Sequence, residues 1–478
     1  MKRYLVQTFG CQMNVHDSRR IEEVLEHAGW TATDEPTLAS LILFNTCSVR
    51  EKAEQKLRSV VGTLRPLKDT NPNLVIAIAG CVAQQEGEAL LRRMSHVDIV
   101  IGPDNISELP NLIEHIQDGA PPIARTVFDN EAPKFLRASP REGIAEVTGF
   151  VTIMKGCDER CSFCIVPYTR GSERYRPADD IIGEIRGLVD GGVREITLLG
   201  QTVNSWFDPT DGTAEEGDSR FAALLTRISE EVPGLLRLRY TSPHPRHVTP
   251  ALVKAHAELK VMPAHVHLPV QSGSNRVLKR MIRRYTREDY IDRARKLLSA
   301  RPGMTLATDI IVGFPGETDE DFEETLSLVR EVGFVAAFAF KYSPRPYTPA
   351  LKLGDDVSEA VKDARLATLF ALVDELQGAH LARLLGTRQE VLIEDRSRDN
   401  SGRFVGRTAQ NEITHVEVAE GIDPIGALVE VTIVEAYKHS LLGRMEGAIA
   451  MPARPVKSTP ARVRLPVAPS VASTAASE

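Results

Sequence analysis

The six cysteines of this 478-residue chain form two groups of three. The second group lies in the segment GCDERCSFC, where Cys157, Cys161 and Cys164 have the spacing C-x3-C-x2-C. Three thiolates on one short loop can bind three irons of a four-iron four-sulfur (4Fe-4S) cluster, because soft sulfur ligands suit iron. The fourth iron would then lack a protein ligand, and such a cluster could bind and activate a substrate.

A zinc site is the alternative for these three thiols. Zinc in a structural site needs a fourth ligand at tetrahedral geometry, and the candidates His244, His265 and His267 lie far along the chain. Zinc sites usually combine two short Cys/His clusters, and the sequence has no second short cluster. The pattern therefore favours an iron–sulfur cluster.

The first group, Cys11, Cys47 and Cys81, is spread over gaps of 36 and 34 residues, and each cysteine ends an apolar run: YLVQTFGC, LILFNTC and LVIAIAGC. Each gap fits one strand and one helix, and parallel strands bring their carboxyl ends to one edge of a sheet. Three buried structural cysteines are the alternative, since free cysteine is often buried. The repeated strand-end position favours a second cluster that also keeps an open iron.

Composition indicates a soluble enzyme of several domains. The chain is 42% hydrophobic and has a net charge of -7, which does not suggest nucleic-acid binding. No apolar run approaches the roughly 20 residues that span a bilayer, and the first residues show no signal-peptide pattern. Thiols without partners imply a reducing compartment. We therefore expect a cytoplasmic protein without membrane contact.

Changes of pattern along the chain predict its domains and fold class. An open parallel α/β sheet comes first, then a proline-rich linker, a partial (βα)6 barrel, a small antiparallel β-barrel and a disordered tail rich in Ala, Pro, Ser and Val. The predicted bounds are 1–118 for the sheet domain, 119–142 for the linker, 143–376 for the large barrel, 380–447 for the small barrel and 452–478 for the tail.

Six strands are predicted for the large barrel. A parallel barrel carries its chemistry at the carboxyl ends of its strands, and the second cysteine group follows the first of them. Helices are predicted between strands, at 178–190, 219–231 and 318–332, the last with a Thr318 and Asp321 capping box. The strands are predicted at 150–155, 194–199, 235–240, 264–269, 305–312 and 334–341.

Two basic features are candidate RNA contacts. The segment 275–296 holds nine Lys or Arg against three acids, and it could follow an RNA backbone, although charge runs are more often salt-bridged helix faces. Small β-barrels often bind RNA, and in this one the contact would need a local face such as that of Arg403 and Arg407.

Nine motifs occur in order along residues 1 to about 447: FGCQMN, FNTCSVREKAEQK, AGC, GCDERCSFCIVPYTRG, LLGQTVNSW, LPVQSGS, TDIIVGFPGET, YSPRP and GRTAQN. This ordered set resembles the methylthiotransferase family of radical S-adenosylmethionine (SAM) enzymes, and within it the MiaB type. The resemblance implies an N-terminal methylthiotransferase domain, a radical SAM core and a C-terminal TRAM domain.

The resemblance also implies cofactors and site residues. Two 4Fe-4S clusters are expected, an auxiliary cluster on Cys11, Cys47 and Cys81 and a SAM-binding cluster on Cys157, Cys161 and Cys164. In this family the aromatic residue at the position of Phe163 packs near the adenine of SAM. Gly200 and Gln201 follow an apolar strand and could hold SAM through backbone groups.

The implied reaction is a tRNA modification. N6-isopentenyl-adenosine at position 37 would become its 2-methylthio derivative, because one SAM methylates a sulfur on the auxiliary cluster and a second yields the radical that removes hydrogen from C2. The implied partners are tRNA carrying isopentenyl-adenosine, a low-potential electron donor of the flavodoxin or ferredoxin type, and a sulfur donor system. The expected state is a monomer.

Four positions depart from the family pattern: Arg19, Thr202, Tyr347 and Glu412. The nearest alternative is a methylthiotransferase acting on threonylcarbamoyl-adenosine or on an aspartate of a ribosomal protein, although CQMN and SVREKAEQK favour the isopentenyl-adenosine branch. A non-catalytic iron–sulfur protein that binds RNA or carries electrons is a rival of another class. A plain SAM-dependent methyltransferase would have no use for either cysteine group.

Overall fold

The structure is a computed structural model that describes residues 2–10, 12–48, 51–130, 133–138, 146–211, 220–398 and 401–450. The chain divides into two compact units, the first running to Leu136 and the second beginning at Arg137. Among the described residues, no helix combines the length and the apolar character needed to cross a membrane. The predicted disordered tail lies outside the described residues.

The first unit is a six-stranded parallel sheet in the order β2-β1-β3-β4-β5-β6. Its strands are β1 Arg3–Phe9, β2 Thr31–Ala32, β3 Leu41–Thr46, β4 Val75–Gly80, β5 Ile99–Ile101 and β6 Ile123–Arg125. Its helices are α1 Gln12–His27, α2 Glu51–Gly62, α3 Arg65–Thr70, α4 Cys81–Glu86, α5 Glu88–Arg93 and α6 Leu109–Gln117. Short 3-10 turns lie at Pro36–Leu38 and Pro103–Glu108.

Both faces of this sheet are buried. In β4, Val75, Ala77 and Ala79 belong to one hydrophobic core, whereas Ile76 and Ile78 belong to another on the opposite face. A parallel sheet covered on both sides needs strands that are apolar throughout, which explains the continuous apolar runs before the cysteines. The predicted open parallel α/β domain is confirmed, and β6, within the segment predicted as linker, adds an edge strand to it.

The second unit begins with the large barrel, whose parallel strands form two three-stranded sheets, β11-β10-β7 and β12-β13-β14. A short antiparallel pair, β8 with β9, accompanies them. The strands are β7 Thr148–Thr152, β8 Met154–Lys155, β9 Arg174–Tyr175, β10 Glu195–Leu199, β11 Arg237–Tyr240, β12 His265–His267, β13 Thr305–Val312 and β14 Ala336–Lys341.

Helices alternate with these strands. Thr318 and Asp321 form the capping box that was predicted for the helix after β13. The helices are α7 Val166–Arg170, α8 Ala178–Asp190, α9 Arg220–Glu231, α10 Pro250–Glu258, α11 Asn275–Arg280, α12 Arg287–Leu298, α13 Asp319–Val332 and α14 Glu359–Arg383. Short 3-10 turns lie at Val203–Ser205, Pro245–His247 and Pro349–Leu353.

All six predicted barrel strands are confirmed, three of them beginning one or two residues later than predicted and two differing more in extent. The predicted first strand is divided between β7 and β8. The strand predicted at 264–269 ends at His267, because the carbonyls of Pro269 and Val270 accept hydrogen bonds from the Arg283 and Tyr285 side chains instead of from a neighbouring strand.

The small barrel is closed and has five strands in the order β15-β16-β17-β19-β18. Its strands are β15 Arg388–Arg396, β16 Phe404–Thr408, β17 Ile413–Glu417, β18 Leu428–Ala436 and β19 Leu441–Ala450. The predicted small antiparallel β-barrel is confirmed, with one exception in strand direction, since β17 and β19 are parallel. A closed ring with an odd number of strands cannot alternate in direction throughout, so one neighbouring pair must be parallel.

One arginine ties the small barrel to the large one. Arg237, on β11 and only 4% exposed, donates from Nη1 to the carbonyl oxygens of Arg407 at 2.6 Å and Thr408 at 3.2 Å. Its Nη2 donates to the carbonyl oxygen of Glu390 at 2.9 Å. A buried guanidinium that donates to three backbone carbonyls fixes the small barrel against β11.

Candidate active site

The second cysteine group lies on the loop after β8. Gly156 precedes it with φ +81°, and a Cβ there would overlap the carbonyl oxygen of Ser172, so only glycine fits. The loop is closed by hydrogen bonds from the amide of Cys157 to the carbonyl of Gly171 at 3.1 Å and from the amide of Cys164 to the carbonyl of Cys161 at 3.0 Å. The three thiols are therefore held on one structured turn at the carboxyl end of the first barrel strands.

Burial makes the thiols of Cys157 and Cys164 poor acids in the chain without bound metal. Desolvation raises the pKa of Cys157 to about 11, and it raises the pKa of Cys164 to about 12. Negative charge on Cys161 raises both values further, so the three sulfurs are close enough to repel one another as thiolates. A bound cation removes this penalty, because metal ligation stabilises the thiolate form.

The spacing of the sulfurs argues against a single zinc ion. Tetrahedral zinc with Zn–S bonds of about 2.3 Å brings its sulfur ligands to roughly 3.8 Å from one another. Among the described residues, the one group of His, Cys, Asp or Glu whose ligand atoms all lie within 4.8 Å is Glu159, His244 and His247, and it contains no cysteine. In a 4Fe-4S cube each thiolate binds a different iron and the sulfurs stay further apart, so the donor set fits the cluster.

The predicted zinc candidates have other partners. His265 Nδ1 lies 2.9 Å from Thr305 Oγ1, and His267 Nε2 lies 3.1 Å from Asp309 Oδ1. His244 Nδ1 accepts a hydrogen bond from the amide of Arg246 at 3.2 Å. None of these contacts brings a histidine to a cysteine sulfur. The zinc interpretation therefore lacks a fourth ligand from these three histidines.

Arg283 is a charged group that contacts a thiol of the cysteine loop. It is 6% exposed, and its Nη1 donates to Cys161 Sγ at 3.3 Å, while Nε donates to Tyr285 Oη at 2.9 Å and Nη2 to the Pro269 carbonyl at 3.1 Å. Burial alone would lower the pKa of Arg283, but Tyr285 and Cys161 raise it. A permanent positive charge therefore lies beside a predicted cluster ligand.

The predicted SAM-contact residues after β10 lie against the cysteine loop. Gln201 Oε1 accepts a hydrogen bond from the Gly156 amide at 2.5 Å. Thr202, which the sequence marked only as a departure from the family pattern, places its Oγ1 3.1 Å from Cys157 Sγ. A Cβ at Gly200 would overlap the Met154 side chain, so a glycine at this position lets the chain after β10 lie close to β8.

Phe163 belongs to a small apolar cluster next to Cys164. Its ring meets that of Phe314 edge to face, with centroids 6.4 Å apart. The cluster also contains Tyr342 and Ile311, from the ends of β14 and β13. Phe163 therefore packs against residues at the carboxyl ends of β13 and β14.

Sequence reasoning missed a polar cluster that holds Glu159 of the cysteine loop. His247 Nε2 lies 2.7 Å from Glu159 Oε1, and Arg246 Nη1 lies 3.8 Å from the same oxygen. Burial would raise the pKa of Glu159, but His247 and Arg246 bring it below its ordinary value. The HPRH sequence at 244–247, directly after β11, was the available signal, since a strand end in a parallel barrel faces the site.

In the first unit, Cys47 and Cys81 directly follow two neighbouring strands, β3 and β4. Thr46 is in register with Gly80, so the two cysteines leave adjacent strands at the same edge of the sheet. They are 1% and 7% exposed. Cys11 lies outside the described residues. The predicted meeting of strand ends is confirmed for two of the three cysteines.

Buried hydroxyl groups next to Cys47 would be satisfied by a bound cofactor that offers hydrogen-bond acceptors. Thr46 Oγ1 and Ser48 Oγ, on either side of Cys47, are buried and have no hydrogen-bond partner among the described residues. Gly80 has φ +92°, and a Cβ there would overlap Asn45 and Thr46. Buried hydroxyls without partners are costly, and sulfur atoms of a cluster are acceptors that would satisfy them.

The basic segment 275–296 is largely committed to internal contacts. Arg276 pairs with Asp321, and Arg280 donates to the Pro315 carbonyl at 3.0 Å. Arg295 pairs with Glu331 at 2.7 Å, and Lys296 pairs with Asp292 at 2.7 Å. Salt bridges therefore account for four of the nine basic residues, the fourth being Arg287, which pairs with Glu331. Arg280 and Arg283 are held instead by carbonyl and sulfur acceptors.

The predicted RNA face of the small barrel carries paired charges as well. Arg403 lies 3.3 Å from Glu417, and Arg407 lies 3.4 Å from Glu394. The carboxylate of Glu412 is buried and accepts a hydrogen bond from His380 Nε2 of α14 at 2.7 Å. This departure from the family pattern therefore supports the junction between α14 and the small barrel.

Three segments of the chain match known families. Residues 3–102 match the uncharacterized protein family UPF0004, residues 151–329 match the radical SAM superfamily, and residues 382–445 match the TRAM domain. These matches follow the order of the open sheet, the large barrel and the small barrel. They confirm the predicted fold class.

Similar proteins match over almost the whole chain. The chain is 57% identical to the tRNA-2-methylthio-N(6)-dimethylallyladenosine synthase of Sorangium cellulosum, over 98% of this chain and 99% of the relative. It is 46% identical to the enzyme of the same name from Bordetella avium, over 92% of each chain.

A solved structure shares the fold at low sequence identity. The radical S-adenosylmethionine methyltransferase TsrM of Kitasatospora setae, with tryptophan and a SAM analog bound, has a TM-score of 0.53 and 15% identity, over 73% of this chain and 75% of its own. The chain described here therefore belongs to the tRNA-2-methylthio-N(6)-dimethylallyladenosine synthase family of the radical SAM superfamily.

Proposed function

We propose that the chain is a tRNA methylthiotransferase that converts N6-isopentenyl-adenosine at position 37 to its 2-methylthio derivative. The observation that carries this function is the pair of cysteine groups, one with Cys47 and Cys81 at the ends of the parallel strands β3 and β4 and one on the loop after β8, in a chain that matches named synthases along almost its full length. The enzyme uses two 4Fe-4S clusters and SAM. Its substrate is tRNA.

The cluster ligands are proposed residue by residue. Cys157, Cys161 and Cys164 hold the SAM-binding cluster in the second unit, and Phe163, Gly200 and Gln201 contact SAM. The support for this assignment is the shared loop, the burial of Cys161 and the contacts of Gly156, Thr202 and Arg283. The auxiliary cluster is held by Cys11, Cys47 and Cys81.

The chain's own groups position these cofactors. When bound, the clusters and SAM supply the radical that removes hydrogen from C2 and the methylthio group that replaces it. Arg283 offsets negative charge at Cys161, and the Glu159–His247 contact holds the middle of the cysteine loop. Burial of Cys47 and Cys161 excludes water from the sulfur ligands.

The remaining partners and the location are part of the proposal. The electron donor is a low-potential flavodoxin or ferredoxin, a separate system supplies sulfur, and the protein works as a cytoplasmic monomer. The proposed domains are the methylthiotransferase domain at 1–118, a linker at 119–142, the radical SAM core at 143–376, the TRAM domain at 380–447 and a tail at 452–478.

The test is an anaerobic reaction of the reconstituted protein with SAM, dithionite and tRNA from cells that lack the 2-methylthio modification. Nucleoside mass spectrometry of the digested tRNA should show a methylthio group on isopentenyl-adenosine. A product on threonylcarbamoyl-adenosine instead would assign the chain to the other tRNA branch. No modified nucleoside in the presence of SAM cleavage would overturn the proposal.

Two matched cysteine variants separate the proposed clusters. Cys47→Ala should abolish the methylthio product and retain formation of 5′-deoxyadenosine, because the SAM-binding thiols remain. Cys161→Ala should abolish both. Each variant should bind about half the iron of the wild type, since four of eight irons lose their site. Retention of the methylthio product by Cys47→Ala would contradict the assignment of the first group.

A further inference from the structure

The last three barrel strands place a row of side chains on the face opposite their main core. Asp309 is in register with Phe338, and Ile311 is in register with Phe340. Because side chains alternate along a strand, these four share one face. We call this surface the strand face and define it by His267, Asp309, Ile311, Phe338 and Phe340.

The two phenylalanines of the strand face are exposed. Phe338 is 52% exposed and Phe340 is 40% exposed, whereas Ala339 between them is buried in the main core. A single exposed apolar side chain is ordinary, but two aromatic rings in one row of a barrel strand form an apolar surface of the kind that binds a ligand.

A polar pair borders this apolar surface. His267 Nε2 lies 3.1 Å from Asp309 Oδ1, and both side chains are partly exposed. The His267 ring also lies against the ring of Phe338, with centroids 5.7 Å apart. Flat rings beside hydrogen-bonding groups suit a nucleobase, which stacks through its faces and hydrogen-bonds through its edges.

The strand face is continuous with the cysteine loop. Ile311 packs against the apolar cluster that contains Phe314 and Tyr342, and Phe163 packs against the same cluster. Phe163 directly precedes Cys164. A group bound on the strand face would thus lie on the surface that supports the proposed SAM-binding cluster.

The charge of the strand face favours a neutral group. Within the described strands β12, β13 and β14, its one acidic residue is Asp309, and Lys and Arg do not occur on it. Lys341, at the end of β14, alternates to the other face and binds Glu359 at 2.8 Å and Asp363 at 2.9 Å. A carboxylate placed beside Asp309 would therefore meet a like charge without a lysine to offset it.

We infer that the strand face binds the modified adenine of the tRNA, with Phe338 and Phe340 packing against the purine and its isopentenyl group. Asp309 disfavours the carboxylate of threonylcarbamoyl-adenosine, so the same surface also selects against the other tRNA branch. This inference rests on the proposed function and identifies the residues that recognise its substrate.

The test measures binding without turnover. Fluorescently labelled anticodon stem–loop RNA, with isopentenyl-adenosine, threonylcarbamoyl-adenosine or plain adenosine at position 37, is titrated with the reconstituted protein in SAM but without reductant. The wild type should bind the isopentenyl RNA more tightly than the plain RNA. Phe338→Ala and Phe340→Ala should each reduce that preference about tenfold, because each removes apolar contact with the isopentenyl group, which plain adenosine lacks.

Further variants separate packing from charge. Phe338→Leu should keep part of the preference, since it retains apolar volume without the flat ring. Asp309→Asn should strengthen binding of the threonylcarbamoyl RNA relative to the isopentenyl RNA. Leu38→Ala is the matched control, because Leu38 is an apolar residue of the first unit that is 53% exposed. It should leave every preference unchanged.

Unchanged preferences in both alanine variants, with wild-type iron content and thermal unfolding, would overturn the inference. Equal binding of the plain and isopentenyl RNAs by the wild type would do the same. Nucleoside analysis of the wild-type reaction separates the two proposals. If methylthio product forms while the variants keep their preference, the strand face is wrongly assigned; if no RNA is modified, the proposed function fails.

Discussion

Arg283 is expected to set the reduction potential of the SAM-binding cluster. The perturbation is Arg283→Met, which removes the charge and the N–H···S hydrogen bond to Cys161 and keeps an unbranched side chain. Hydrogen bonds and charge near the sulfurs are known determinants of cluster potential. A buried positive charge stabilises the reduced cluster, which carries one more negative charge than the oxidised cluster.

The magnitude follows from the 3.3 Å distance between Arg283 Nη1 and Cys161 Sγ. If the added electron is spread over the cluster at about twice that distance, the interaction at an effective dielectric constant of about 20 is roughly 2.5 kcal/mol. For a one-electron couple, 1.4 kcal/mol corresponds to about 59 mV. The Arg283→Met variant should therefore have a midpoint potential about 100 mV more negative than the wild type.

The assay is an anaerobic potentiometric titration of the Cys47→Ala background, in which the proposed SAM-binding cluster is the one that is loaded, followed by electron paramagnetic resonance. Arg283→Lys is the control, because it keeps the charge while losing the planar fork that reaches Tyr285 and Pro269. Its potential should lie nearer to the wild type. A loaded Arg283→Met cluster with an unchanged potential would refute the electrostatic reasoning.

Three further predictions concern how the chain supports the site. Arg237→Ala should destabilise the attachment of the small barrel by about 3–5 kcal/mol, because three carbonyls lose a buried charged donor. Pulse proteolysis of this variant should show earlier cleavage of the C-terminal strands. Gly156→Ala should lower iron binding and thermal stability. Gly183→Ala is the control, because Gly183 lies in the exposed middle of α8 with open space around it, and this variant should raise stability by about 0.5–1 kcal/mol. Equal melting temperatures for the two glycine variants would contradict this expectation. Burial would raise the pKa of Asp321, but hydrogen bonds from Arg276 and other donors lower it to about 2. The stabilisation from this carboxylate should therefore be present above about pH 4 and be lost as the pH falls towards 2, so the gap in unfolding free energy between wild type and Asp321→Asn should close over that range.

Sequence reasoning worked where local pattern determines structure. The apolar runs that end in Cys47 and Cys81 could be placed on adjacent parallel strands, because a strand–helix repeat leaves few topologies. The cysteine loop could be placed at the carboxyl end of the first barrel strand for the same reason. The capping box at Thr318 is a local motif and was also found.

It failed where contacts join distant parts of the chain. Arg283 was counted as part of a basic surface segment, although it is buried 122 residues away from the sulfur it contacts. A charge run does not reveal which of its members have acidic or sulfur partners. Glu412 was noted only as a departure from the family pattern, and the sequence did not reveal that its partner is His380 on the preceding helix.

The strand face shows the same limit. The alternation in AAFAFK is visible in the sequence, but a parallel barrel strand is expected to be buried on both faces. Only the register with Asp309 and the exposure of Phe338 distinguish a ligand surface from ordinary core.

The central claim is that this protein uses SAM to remove the hydrogen from C2 of the isopentenyl-adenine. The most direct measurement supplies anticodon stem–loop RNA with deuterium at that C2 and analyses 5′-deoxyadenosine by mass spectrometry. We expect one deuterium in 5′-deoxyadenosine for each methylthio group formed. Methylthio product accompanied by unlabelled 5′-deoxyadenosine would contradict the claim.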